Sequence, residues 1–122
     1  MTYRLSSRSL GNLEGVHPNL VAVVKRAIEI TEADFVVIEG LRTKERQREL
    51  VATKKSRTMN SRHLTGHAVD IAPYPITWEK SAFVPIVEAM KKAAEELGVD
   101  VIHGYDWGWD SPHHELNRET YP

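Results

Sequence analysis

Ser61-Arg62-His63-Leu64-Thr65-Gly66-His67-Ala68-Val69-Asp70 is answered near the C-terminus by Asp110-Ser111-Pro112-His113-His114-Glu115-Leu116. Together the two stretches supply imidazoles and carboxylates at positions that suit one zinc site. His63 and Asp70 lie seven residues apart, too far for ligands on successive turns of a helix. The gap suits a turn that carries His63, then Gly66, then a strand that carries Asp70. From His67 to Ala72 the residues alternate. Asp70 shares one face with Ala68 and Ala72, while Val69 and Ile71 take the other. A carboxylate buried in such a strand needs a partner, and a metal is one. Any one of the six histidines taken alone reads as a surface or satisfied core residue. The set, with its matching chemistry, reads as a site.

The 122 residues, 41% apolar and 27% charged, read as one globular domain over 1–122. There is no cysteine, which excludes disulfides and thiolate zinc sites and leaves His, Asp and Glu as ligands. No apolar run approaches the roughly 20 residues of a membrane span, so no membrane partner is expected. Met1-Thr2-Tyr3-Arg4-Leu5 has no apolar h-region, so no signal peptide is read. The formal net charge of −1 conceals a segregation: residues 42–62 hold eight Lys/Arg against two Glu, and residues 63–122 four against ten Asp/Glu. The basic segment reads either as a solvated helix and loop or as a wall that attracts an anionic ligand. No nucleic-acid motif or aromatic interleaving accompanies it, so nucleic acid is not expected as a partner.

Residues 1–16 read as an extended polar entry anchored by Leu10, Leu13 and Val16. Pro18 suits a first helical turn, and Leu20, Val21, Val24, Ala27 and Ile28 predict an amphipathic helix over 18–31. Residues 34–39 read as a strand. Thr43 can N-cap a charged surface helix over 44–54, and 55–62 is a loop. A strand over 67–72 precedes a helix over 79–97, whose inward stripe is Phe83, Ile86, Val87, Met90, Ala94 and Leu97. Pro85 implies a kink or a late start, and Gly98 a C-terminal cap. Short strands follow at 99–103 and 112–116, around an aromatic loop. Helices and strands do not alternate regularly, so the fold class is α+β, a small antiparallel sheet with helices packed on it.

The pattern Ser-x-His-x-x-Gly-x-Ala-x-Asp followed by Asp-x-x-His, with Gly40-Leu41-Arg42-Thr43-Lys44-Glu45-Arg46-Gln47 upstream, resembles the VanY-like zinc D,L- and D,D-peptidases of peptidoglycan. The small size, Gly104-Tyr105-Asp106-Trp107 and the closing His-x-Glu-Leu are most similar to phage endolysins of the L-alanyl-D-glutamate peptidase type. The resemblance covers about Asp34 to Leu116 and is specific in combination. It implies a hedgehog/DD-peptidase type of fold.

Zinc hydrolases need three protein ligands and an open position, and the resemblance makes these His63, Asp70 and His113. If 112–116 is extended, His113 and Glu115 share a face and His114 points away. That separates His113 from its neighbour and makes Glu115 a partner that orients the imidazole. Asp110 matches the family's acid/base position. Arg42 would stabilise the oxyanion or hold a substrate carboxylate. Gln47, Ser61 and Trp107 are the further substrate-contact candidates. Trp109 reads as cleft wall or core. His17, His67 and His103 read as structure or surface.

The resemblance thus implies a monomeric zinc peptidase of the peptidoglycan stem peptide, cutting between L-alanine and D-glutamate. It would be made in the host cytoplasm and reach the wall by holin-type release. A D,D-carboxypeptidase acting on D-Ala-D-Ala and a non-catalytic zinc-containing wall-binding module remain as alternatives.

Overall fold

The computed structural model describes residues 2–56, 58, 59 and 61–122. Four strands, β1 (Phe35–Glu39), β2 (Ala68–Pro73), β3 (Val101–His103) and β4 (His113–Leu116), form one antiparallel sheet in the order β1-β2-β4-β3. Among the described residues there are four α-helices: α1 (Ser7–Asn12), α2 (Pro18–Ile30), α3 (Lys44–Ala52) and α4 (Lys80–Leu97). The α+β expectation holds, and the elements fall close to their predicted bounds.

α2 starts at Pro18, where the His17 Nδ1 accepts a hydrogen bond from the Asn19 N–H at 3.1 Å. Its Leu20, Val23, Val24, Ala27 and Ile28 recur at helical spacing and are buried. They meet Ile86, Ala89, Met90 and Ala93 of α4, and Val69, Ile71 and Leu116 of the sheet, in one core. The alternation of β2 therefore works as expected: Val69 and Ile71 face the helices, and Asp70 faces the other way.

Three expectations are corrected. The entry segment is not wholly extended, since Ser7–Asn12 is helical and Ser6 caps it by accepting from the Ser9 N–H. Ser and Gly are poor helix formers, so propensity does not announce this helix. Its role is tertiary: β1 is an edge strand, and the Ser9 Oγ accepts from the Val37 N–H while the Asn12 amide donates to the Val37 carbonyl. The helix thereby satisfies backbone groups that an open edge would expose. Leu10 points away from this contact and is half exposed. Second, α4 starts at Lys80 and runs through Pro85. The carbonyl four residues earlier belongs to exposed Ser81, so water can satisfy it. Third, Leu97 is half exposed in the last turn, and Val99 and Val101 pack against the core instead. No helix among the described residues is long and apolar enough to cross a membrane.

Candidate active site

A 3₁₀ turn over Arg62–Thr65 carries His63, and Ser61 caps it by accepting from the His63 N–H at 3.2 Å. Gly66 closes the turn at φ 74°. A side chain there would be strained by that angle and would meet the Gly15 carbonyl oxygen at 2.3 Å. β2 and β4 pair so that Asp70 lies opposite His113, and β1 and β2 so that Glu39 lies opposite Asp70. Register thus brings residues from distant parts of the chain into one row.

His63, Asp70 and His113 each offer a ligand atom within 4.8 Å of the others. The Asp70 Oδ1 is 3.2 Å from both the His63 Nε2 and the His113 Nδ1. The outer nitrogens are held: the His63 Nδ1 lies 2.9 Å from the Gly40 carbonyl oxygen, and the His113 Nε2 lies 2.8 Å from a Glu115 oxygen. A carbonyl can only accept, so the His63 Nδ1 carries the proton and its Nε2 is left as a lone pair. Glu115 does the same for His113 and leaves its Nδ1 inward. Two imidazoles, each fixed from outside, and a carboxylate make a donor set that fits a divalent metal of the zinc type and leaves a coordination position open.

Burial opposes a charge on His113, but Asp70 and Glu115 overcome it and push the imidazole up to about 9. Burial would also raise Asp70, yet the His113 and His63 imidazoles beside it hold its carboxyl well below the usual range. Glu115 is likewise held low by His113 against the effect of burial.

Arg42 stands beside this row. Its backbone N–H donates to the His63 carbonyl at 2.9 Å, and its guanidinium comes within 3.9 Å of Asp70. The Nε donates to Glu39 at 2.6 Å, the Nη2 pairs with the same carboxylate, and the Nη1 donates to the Gln47 side-chain Oε1 at 2.8 Å. Gln47 corrects an expectation. It is fully buried on an otherwise charged helix, and its amide donates to the Ser56 Oγ at 2.8 Å and to the Thr58 carbonyl. It has no surface to offer a substrate, and it holds Arg42 and the following loop. Sequence reading missed Glu39, whose only signal was its place three residues before Arg42 at the end of a strand.

Arg42, Lys54, Lys55, Ser61, His63, Asp70, Trp107, Trp109, Asp110, His113 and Glu115 all line one cleft of about 760 Å³. Trp107 lines this cleft and packs on the His113 ring at 5.5 Å. Asp110 precedes β4, and its carbonyl accepts from the His113 N–H at 3.1 Å. Close approach matters here: a Cβ on Gly104 would meet that carbonyl oxygen at 2.2 Å. Burial raises the Asp110 carboxyl above its ordinary value, opposed by the charge of His113 and reinforced by that of Asp70.

His114 points away from the cleft, as alternation requires. It is fully buried beside His103, the two Nδ1 atoms 2.8 Å apart, so one must donate and the other accept. Burial lowers His103 to about 4 and holds His114 well below its ordinary value. His67 and His17 pack together away from the ligand row. Arg62, counted in the basic segment, is buried and donates to the Leu116 and Tyr121 carbonyls. It anchors the C-terminus more than it adds to a solvated wall. Arg57, also counted there, lies outside the described residues.

A family model described as phage L-alanyl-D-glutamate peptidase matches residues 1–122. The L-alanyl-D-glutamate peptidase of Escherichia phage T5 is 33% identical over 129 residues, covering 99% of this chain and 94% of that protein. The protein of the same name from Listeria phage A118 is 29% identical over 126 residues, 99% of this chain but 45% of that protein. Among solved structures, the Serratia marcescens L-Ala D-Glu endopeptidase ChiX superposes with a TM-score of 0.91 at 42% identity, covering 98% of this chain and 94% of that one.

Proposed function

The chain belongs to the phage L-alanyl-D-glutamate peptidase family, and from that membership we propose that its cleft hydrolyses the L-alanyl-D-glutamate amide of the peptidoglycan stem peptide. The observation that carries this is the His63–Asp70–His113 trio, whose inner atoms converge within 4.8 Å in a cleft that also holds half-buried Asp110. Its donor types favour zinc. Bound there, zinc would supply Lewis acidity and lower the pKa of a water to about 7.

The chain's own residues do the rest. Asp110 takes a proton from the attacking water and passes it to the leaving amide nitrogen. Its raised proton affinity suits that relay, because a carboxyl at its ordinary value would hold the proton too weakly. Arg42, held by Glu39 and Gln47, presents positive charge to the oxygen on which charge develops. Ser61 keeps the His63 turn in place and lines the same wall. Lys54 and Lys55 face the carboxylates of the stem. Residues 1–122 form a single catalytic domain acting as a monomer. It is made in the host cytoplasm and acts on the wall after holin-type release.

Digestion of purified sacculi with the zinc-loaded protein, followed by mass spectrometry of the new termini, tests the reading. The expected products are a new D-glutamate amino terminus and an L-alanine carboxylate left on the glycan. Release of D-alanine instead would favour the D,D-carboxypeptidase, and binding with no new termini the non-catalytic module.

A further inference from the structure

The cleft is chemically two-sided. The sheet order puts β1, which leads through α3 to Lys54, at one edge, and β3, which leads to Trp107 and Trp109, at the other. We infer that the Trp107–Trp109 wall is a saccharide subsite, which holds the glycan unit joined to the stem peptide and so fixes the direction in which the substrate lies. This rests on the L-alanyl-D-glutamate reading above.

Two indoles step outward from the candidate metal ligand. Trp107 packs on His113 at 5.5 Å and 34°, and Trp109 packs on Trp107 at 5.6 Å and 31°. They are 41% and 76% exposed, so large apolar faces stand in water beside the reacting centre, where such surface marks a binding site. The backbone that presents them is tied down. The Lys80 Nζ donates to the Gly108 carbonyl at 3.3 Å, Lys91 pairs with Asp106 at 2.8 Å, and the Ile71 N–H donates to the Pro112 carbonyl at 2.9 Å.

The chemistry of the substrate matches this layout. In peptidoglycan the L-alanine is the residue attached to the glycan, through a lactyl amide that carries no charge. The scissile carbonyl therefore lies one residue, about 3.5 Å of chain, from that attachment. A sugar that near must lie against whatever flanks the ligand row. The C–H face of a hexosamine ring is apolar and stacks on an aromatic π-face. The carboxylates of the substrate begin only on the D-glutamate side, where Lys54 and Lys55 stand.

The test compares kcat/KM of the zinc-loaded protein for two substrates that share one peptide, one of them bearing the N-acetylglucosaminyl-N-acetylmuramyl disaccharide. The wild type should prefer the disaccharide substrate by about tenfold, equivalent to about 1.4 kcal/mol, chiefly through KM. Trp109→Ala should bring that ratio close to one, and Trp109→Phe should restore much of it. Trp78→Ala should leave it unchanged, because Trp78 is also largely exposed, at 65%, but lies outside the cleft. A wild-type ratio near one, or a ratio untouched by Trp109→Ala, overturns the subsite. So does a Trp109→Ala effect confined to sedimentation, which would assign these rings to a second copy of the chain. If neither substrate is cut at this bond, the reading of the reaction fails. The subsite is then judged by tryptophan fluorescence: the free disaccharide should quench the wild type and not Trp109→Ala, and no quench in either would overturn it.

Discussion

Which nitrogen of each imidazole is free depends on its outer partner: the Gly40 carbonyl for His63, and Glu115 for His113. The two C-terminal histidines, adjacent in the chain, should therefore fail in different ways. His113→Ala removes a ligand, and both metal content and turnover should collapse. Asp110→Asn keeps the size of the side chain but cannot relay a proton. It should retain zinc by elemental analysis and lose at least ~10²-fold in kcat. His114→Ala should keep the metal yet lose about 2–4 kcal/mol of stability in urea melts, because it empties a buried volume and strands its His103 partner. Zinc lost from His114→Ala and kept by His113→Ala would shift the assignment by one residue and remove Asp110 from its role.

At the scale of an element, α3 ends in an unusual way. The Lys55 N–H donates to the Leu50 carbonyl at 2.8 Å, the Lys54 N–H to the Val51 carbonyl at 3.1 Å, and Lys54 has φ 62°. This is the Schellman pattern, in which the left-handed residue is most often glycine. A lysine there costs about 1 kcal/mol or more in backbone strain, and its side chain lines the cleft. Lys54→Gly should raise the melting temperature by about 4 °C. If the ammonium meets substrate carboxylates, the same change should raise KM about threefold at low salt, with kcat little altered. A higher melting temperature with an unchanged KM would return Lys54 to the solvated surface.

At the scale of the whole molecule, the metal and the proton compete for one fold. His113 is raised in the folded state to about 9, above the ~6.5 of an unfolded chain. Its contribution is complete below ~6.5 and is lost as pH rises through 9. Asp70 is depressed, so its contribution is present above ~3.9 and lost as pH falls through its folded value. His103 and His114, which burial keeps neutral in the fold, act the other way: their contribution is present above ~6.5 and is lost as pH falls toward the folded value, about 4 for His103. The metal-free protein should therefore be most stable near pH ~6.5. Zinc requires His113 without its inward proton, and bound metal stabilises by mass action. The gap between zinc-loaded and metal-free melting temperatures should therefore widen from pH 6 to 9. A gap constant over that range would mean that no proton leaves when the metal binds.

Much of this was local and so was written in the chain. The helix of residues 18–30 and the strand of 68–73 followed from apolar spacing, because period and burial are the same fact seen twice. The row of His63, Asp70 and His113 was legible as a motif, and alternation alone separated His113 from His114. What stayed hidden depended on contacts between distant segments. Ser9 and Asn12 form a helix because the β1 edge needs partners, and no propensity in residues 6–12 says so. Gln47 read as a substrate contact on a charged surface helix, and only the packing against Arg42, Ser56 and Thr58 buries it. The inward nitrogens of His63 and His113, and the histidine pair behind them, come from the register of β2, β4 and β3. Residue types and spacing thus determined which groups could form a site. Strand register and burial, which no local stretch encodes, decided which atoms face one another in it.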